Sequence, residues 1–303
     1  MVRFITVSGT HSGTPAASRD ENLQVWLNDA QDDGAWRDAT VQEMREGEHS
    51  YSPEETDLIA RGTALLGTFA TGKGKARPMR RCKTVQLAET KHDEKSGLLI
   101  GHVEAEVRTS PEHAIAYLMH FGSKFLRSIE WDPAVDVRYE VLEVKNPHHT
   151  VVFLEKKAAP LQTRTFLNAR LWQKVSDTPL TYVWVTVPIE DHAKISLEDE
   201  AHTTRAEVVR CIRATQTAPD MTRIEYACSS DLKGRVPSWL TDQLVVPTLM
   251  RLPYDLQTYF THVMPPPSCT AADGMLLGHL IADTADAAKK PERASAVAKY
   301  FLL

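Results

Sequence analysis

The chain has 303 residues, of which 42% are hydrophobic and 25% charged, with a formal net charge of −5; this is the make-up of a folded globular protein with a sizeable core. No extended basic run interleaves with aromatic residues, which argues against a nucleic-acid partner. No apolar stretch approaches the ~20 residues that a membrane-crossing helix needs.

Residues 1–50 are polar and punctuated, and read as a partly disordered N-terminal extension. Ser8 to Arg19 is rich in Ser, Thr, Gly, Pro and Ala, and Leu23, Val25, Trp26 and Leu27 mark at most a short helix. The opening Met1 to Val7 is too short in apolar length for a signal peptide. The first firm element begins at Ser52. Ser52 is an N-cap, Pro53 takes the first helical position and Glu55 completes a capping box. Leu58, Ile59, Leu65, Leu66 and Phe69 then fall at helical spacing, and Gly72 and Gly74 end the helix. The basic stretch from Lys73 to Arg81 reads as either a solvated linker or a contact with anionic lipid.

The period then changes to two. Cys82 to Glu89 and Leu98 to Val107 form a hairpin with a long polar loop. Ser110 and Pro111 open a second helix whose apolar face is Ile115, Leu118, Met119 and Phe121. From Val137 to Ser229 the spacing predicts six strands, near 137–144, 150–155, 164–175, 180–189, 203–215 and 221–229. No helical period interrupts them, so they pair antiparallel, and their length favours a strongly curved sheet. Asp231-Leu232-Lys233-Gly234 turns the chain, and Pro237 opens a long helix from Trp239 to Val263. That helix is apolar around most of its circumference, as expected of a helix clasped by a sheet. Pro247 and Pro253 either curve it or hinge it. Residues 265–303 follow three prolines and read as a C-terminal appendage. The class is α+β.

Four scattered cysteines, Cys82, Cys211, Cys228 and Cys269, have neither CxxC spacing nor a nearby His, so they read as reduced thiols of a cytoplasmic protein. His148-His149, beside Asn146-Pro147, reads as a surface turn without a third metal ligand. GxGxxG, Walker, GxSxG and HExxH patterns are absent, so no cofactor, metal or catalytic residue is implied.

Three segments resemble one family. Glu130-Trp131-Asp132-Pro133 after the second helix, Arg164-Thr165-Phe166-Leu167-Asn168-Ala169-Arg170 on the third of the six strands, and Asp231-Leu232-Lys233-Gly234 with Pro237 are similar to motifs of the START domain. This is the lipid-transfer domain related to steroidogenic acute regulatory protein. The resemblance spans residues 53–263, within a domain placed at 51–264. It implies a helix-grip fold: a curved antiparallel sheet wrapped around the long C-terminal helix, with an internal apolar cavity for one lipid.

On that reading the lipid contacts are Phe166, Asn168, Arg170, Trp184 and Arg210 on strands, and Leu244, Met250 and Tyr254 on the last helix. Lys156, Lys157, Pro160 and Leu161 match the family's omega loop at the tunnel mouth and are expected to touch a membrane, or to form an ordinary exposed turn. Alternation puts Arg170 on one face with Phe166, Asn168 and Trp172. Facing inward it needs a partner; facing outward it is simply solvated. The family pairs it with an acid on the preceding strand, where the ungapped position here is Val152 and the closest acid is Glu155. Arg205 and Arg210 fall on opposite faces of their strand, and Tyr182 and Trp184 line either cavity or core.

The expected function is non-enzymatic. The protein binds one hydrophobic ligand (a sterol, phospholipid or similar) and transfers it between membranes, as a monomer with peripheral membrane contact. Two other readings stay open: a cavity enzyme of the polyketide cyclase type, and a lipid-sensing regulatory module whose terminal segments bind a protein.

Overall fold

A computed structural model describes residues 37–70, 74–76, 85–94, 96–119, 137–156, 162–195, 202–234, 249, 252–253, 255–257 and 259–260. The chain runs through helix α1 (37–46), α2 (Pro53–Ala70), strands β1 (Lys75–Ala76), β2 (Val85–His92) and β3 (Leu99–Val107), and helix α3 (Pro111–Met119). Strands β4 (Val137–Asn146), β5 (His149–Lys156), β6 (Arg164–Asp177), β7 (Leu180–Pro188), β8 (Thr204–Arg205), β9 (Glu207–Ala218) and β10 (Met221–Asp231) follow. Residues 249, 252–253, 255–257 and 259–260 are helical and belong to the last helix. The strands form one sheet in the order β1-β2-β3-β10-β9-β7-β6-β5-β4, antiparallel throughout except that short β8 lies parallel to β6. The expected antiparallel sheet and final helix are therefore present.

The central strands are buried on both faces. Every residue from Arg164 to Trp172 on β6 and from Thr181 to Val187 on β7 is buried. Alternation sorts them. On the inner face Phe166, Trp172, Tyr182, Trp184, Ile212, Ile224 and Tyr226 pack in one cluster with Leu249, Leu252, Leu256, Tyr259 and Phe260 of the last helix. On the outer face Ala169, Leu171, Val183, Val185, Val187, Cys211 and Ala227 pack under Leu58, Ile59 and Leu66 of α2. The last helix buries 249, 252, 253, 256, 259 and 260. Those spacings of three and four make a single stripe turned to the sheet.

A glycine admits each covering helix. A Cβ on Gly101 of β3 would stand 1.9 Å from Leu249 Cδ1, so the last helix seats directly on that backbone. A Cβ on Gly62 of α2 would stand 2.4 Å from Val185 Cγ1 on the outer face. Both positions are fixed by close approach rather than by backbone torsion.

Helix α1 precedes the position at which the sequence places the start of the domain. Its Val41 and Met44 are buried, Tyr182 Oη donates to Met44 O at 3.0 Å, and Arg45 pairs with Glu112 of α3 at 3.0 Å.

The capping box forms as expected. Glu55 N–H donates to Ser52 Oγ at 3.2 Å, and Ser52 N–H donates to Glu55 Oε2 at 2.9 Å. The other carboxylate oxygen does something the sequence did not suggest. It accepts from Asn146 Nδ2 at 2.7 Å and meets His149 Nδ1 at 2.9 Å, with His148 Nε2 at 3.5 Å. The expected surface turn is thus a buried knot: His148 is 4% exposed and His149 1%. The reason is the carboxylate that α2 delivers to the β4–β5 hairpin. Burial alone would raise the Glu55 pKa, but hydrogen bonds from Ser52, Asn146 and His149 outweigh it and hold the carboxyl at about 2. Burial, ahead of any charge, lowers both histidines.

Two expectations follow. Gly62→Ala forces α2 off β7, and the chemical-denaturation midpoint should drop by the equivalent of about 1–3 kcal/mol with the slope unchanged. The acid limb follows from three groups whose pKa is lowered on folding, so each stabilises above its unfolded value and loses that contribution as pH falls. The histidines act first, below 6.5, and Glu55 follows between 4.5 and about 2. Melting temperature should therefore fall between pH 7 and pH 5, and the fall should shrink in His149→Gln; equal melting temperatures at the two pH values would contradict this account.

Candidate functional site

The register of the sheet aligns one row of side chains across the inner face. Arg170 on β6 lies opposite Thr150 on β5 and Thr186 on β7. Thr186 lies opposite Arg210 on β9, Arg210 opposite Cys228 on β10, and Cys228 opposite Gly101 on β3. The row Thr150–Arg170–Thr186–Arg210–Cys228–Gly101 thus crosses six strands and ends where Leu249 seats. Neighbours in such a row stand roughly 5 Å apart at Cβ.

Polar atoms along this row and beside it are buried without hydrogen bonds. They are Thr150 Oγ1, Thr186 Oγ1 and Arg210 Nε in the row, with Trp184 Nε1 and Asn168 Oδ1 to either side. Each such group carries a desolvation cost of about 1–3 kcal/mol unless something pairs with it. Around them stand Phe166, Val152, Leu154, Trp172, Ile212 and Tyr226, all buried. An apolar wall holding unpaired donors and acceptors suits an amphiphile rather than a dry core.

Among the described residues, the buried strand positions on this face carry no Asp, Glu or His. Burial works against the charge on Arg210, but Tyr226 and Cys228 beside it outweigh that, and its pKa moves upward. Tyr226 is raised well above the ordinary phenol value, by burial first and then by Cys228. The face therefore presents a fixed cation and neutral hydroxyls. Cys228 and Cys211 are free thiols on opposite faces, and burial pushes Cys211 up to about 12.

The structure brings together Phe166, Asn168, Arg170, Trp184 and Arg210 on the inner face, all but the half-buried Arg210 fully buried. Arg170 thus faces inward, and its cross-strand neighbour on β5 is Thr150. Glu155 lies opposite Thr165 on the outer face and cannot supply the acid that the family pairs with this position. Leu244, Met250 and Tyr254 lie outside the described residues, as do Lys157, Pro160, Leu161 and the Glu130–Pro133 segment. Lys156 is corrected: it is 6% exposed and closes the end of β5, so its ammonium is not displayed at the surface as a membrane contact requires.

Sequence reasoning missed Thr150 and Thr186. The alternation that grouped Tyr182 with Trp184 continues to Thr186, and was the available signal. It also missed the role of Arg164, whose side chain is spent on architecture. Arg164 Nε donates to Leu232 O at 2.8 Å and Nη1 to Gln162 O at 2.6 Å. Asp231 Oδ1 meanwhile accepts from Lys233 N–H at 2.9 Å. Lys233 and Gly234 take φ values of 53° and 75°, so the Asp231–Gly234 turn uses the left-handed region that Gly favours. Two of the three motifs are one contact. Arg164→Met should cost about 2–3 kcal/mol by stranding the Leu232 carbonyl, measured by urea denaturation.

One further group gathers ligating side chains: His102, Glu104 and Glu225 on the outer face have ligand atoms within 4.8 Å of one another. Glu89 engages His102 at 3.0 Å, Arg223 engages Glu104 at 2.7 Å and Arg213 engages Glu225 at 3.3 Å, so these charges are already met. No helix among the described residues is long and apolar enough to cross a membrane.

Comparison with known proteins places this geometry. The family model for the START domain matches residues 90–251. Human STARD10 has a similar structure, with a TM-score of 0.51 at 15% identity, covering 85% of this chain and 97% of that one. Human StAR-related lipid transfer protein 5 is similar with a TM-score of 0.50 at 14% identity, covering 67% of this chain and 93% of that one. No curated protein matches by sequence.

Proposed function

Because the chain belongs to the START domain family, we propose that it is a non-catalytic carrier that takes one hydrophobic ligand between the inner face of its sheet and the last helix. It releases that ligand at a membrane surface and acts as a monomer. The observation that carries this reading is the set of unpaired polar atoms, Thr150 Oγ1, Asn168 Oδ1, Trp184 Nε1, Thr186 Oγ1 and Arg210 Nε, set in an otherwise apolar wall.

The physics divides between wall and row. Apolar surface drives entry, at about 25 cal/mol for each Å² removed from water. The row orients: a head group that satisfies the stranded donors recovers their desolvation cost, and a tail alone does not. Chemistry has less to work with. The buried strand positions of this face hold no carboxylate or imidazole to act as a base, and Tyr226 stays protonated.

Native mass spectrometry of freshly purified protein should show a bound mass that organic extraction releases as lipid. The same protein should then extract labelled lipid from liposomes. Absence of both a co-purifying lipid and extraction overturns the carrier reading. Turnover of an added polyketide-like substrate overturns the non-catalytic part of it.

A further inference from the structure

We infer that the ligand carries an anionic oxygen group, a carboxylate or a phosphate, held at Arg210. This deepens the carrier reading and rests on it.

The argument starts from the stranded atoms themselves. Arg210 Nε–H and Trp184 Nε1–H can only donate, and both are buried without a partner. Thr186 Oγ1, directly opposite Arg210 and also unpartnered, donates or accepts as needed. Trp184 sits one step along β7 on the same face, opposite Ile212, and so lies diagonal to Arg210. Diagonal neighbours in a sheet are within reach of long side chains. Two groups able to donate, Trp184 and Thr186, therefore neighbour one guanidinium in the register, and what complements the set is a group rich in acceptors.

Charge then chooses among acceptors. A hydroxyl or a neutral carbonyl would satisfy one donor but bring no countercharge to the guanidinium. The neighbours of Arg210 across the β9–β10 ladder are a thiol, Cys228, directly and a phenol, Tyr226, diagonally, and neither is a carboxylate. No buried strand position on this face among the described residues bears an acid, and the nearest acids of β9 and β10, Glu207, Glu225 and Asp231, point to the outer face. A carboxylate or phosphate supplies both the countercharge and two or more acceptor oxygens, which suits an arginine fork. Asn168, on the far side of Arg170, adds an amide able to meet a second polar group farther along the ligand. Carboxylate and phosphate are not distinguished by this geometry; the probes below distinguish them.

The experiment compares matched pairs that differ in the charge of the head group. Oleic acid is set against methyl oleate, and lysophosphatidic acid against monoacylglycerol, by displacement of a fluorescent fatty-alcohol probe from the full chain. Wild type should bind at least one acidic member about tenfold more tightly than its neutral partner, as a charge-assisted contact gives. The pair that shows the preference identifies the anion. In Arg210→Met the acid-to-neutral preference should collapse to within about twofold, and Arg210→Lys should retain part of it. Neutral and acidic members binding within about threefold of each other in wild type would overturn the anionic head group and leave the carrier reading standing. Binding of neither member, nor of the probe, would overturn both. If Arg210→Met does not fold, the wild-type acid-to-neutral ratios alone decide.

Discussion

The structure depends on the register of a sheet that is buried on both faces. Side chains alternate with a period of two, so a slip of one residue on β6 or β7 would exchange everything that faces α2 with everything that faces the last helix. The two sets are not interchangeable. The outer set is aliphatic and small, with Ala169, Val183, Val185 and Cys211 meeting a helix at Gly62. The inner set carries the aromatics and the polar row. A slip would bury Arg170 and Asn168 under Leu58 and Ile59 and would put Leu171 and Val185 where the polar row stands. Register is therefore what turns a two-sided hydrophobic sheet into one with an aliphatic face under α2 and a face that carries the polar row.

Each face also needs its own close approach, and the two glycines divide that labour. Gly62 belongs to the covering helix and Gly101 to the sheet. Gly101 lies on the same cross-strand row as Thr150, so the last helix seats beside Cys228, two strands from Thr186. The seat of the helix and the polar row are thus parts of one line across the sheet, and what fills the space along it sets how the helix lies. Arg164 fixes the other boundary by pinning the carbonyls of the turn that leads into that helix.

Elements whose signal is local were legible in the sequence. Ser52, Pro53 and Glu55 set the start of α2, and alternation over Arg164 to Trp172 grouped Arg170 with Phe166, Asn168 and Trp172 while leaving open which way that face turns. What was not legible depends on long-range meeting. His148-His149 reads as a polar turn because nothing nearby in sequence announces Glu55, which comes from 93 and 94 residues earlier (148 − 55 and 149 − 55). Helix α1 reads as part of a polar extension because what holds it to the core lies far along the chain: Tyr182 donates to Met44 O, Glu112 pairs with Arg45, and the Arg37 guanidinium lies over the Tyr259 ring. Arg164 and Arg170 are the same residue type on the same strand, yet one pins a turn and the other stands in the polar row. Strand alternation places both on one face and says nothing of which neighbour reaches them.

The unpaired row also sets an energetic relation between ligand and fold. Five buried polar atoms without partners, at about 1–3 kcal/mol each, are comparable in sum with the whole stability of a typical domain. A native state that keeps all five stranded has little margin, whereas a ligand that pairs even two of them returns several kcal/mol. Occupancy and folding are then linked: the ligand stabilises the folded chain in proportion to its affinity and concentration. On the proposed carrier reading, release becomes favourable where another medium takes the tail and water reaches the row, as a membrane surface would. On that reading, the unpaired row that would orient a ligand is also the source of the drive to load and unload it.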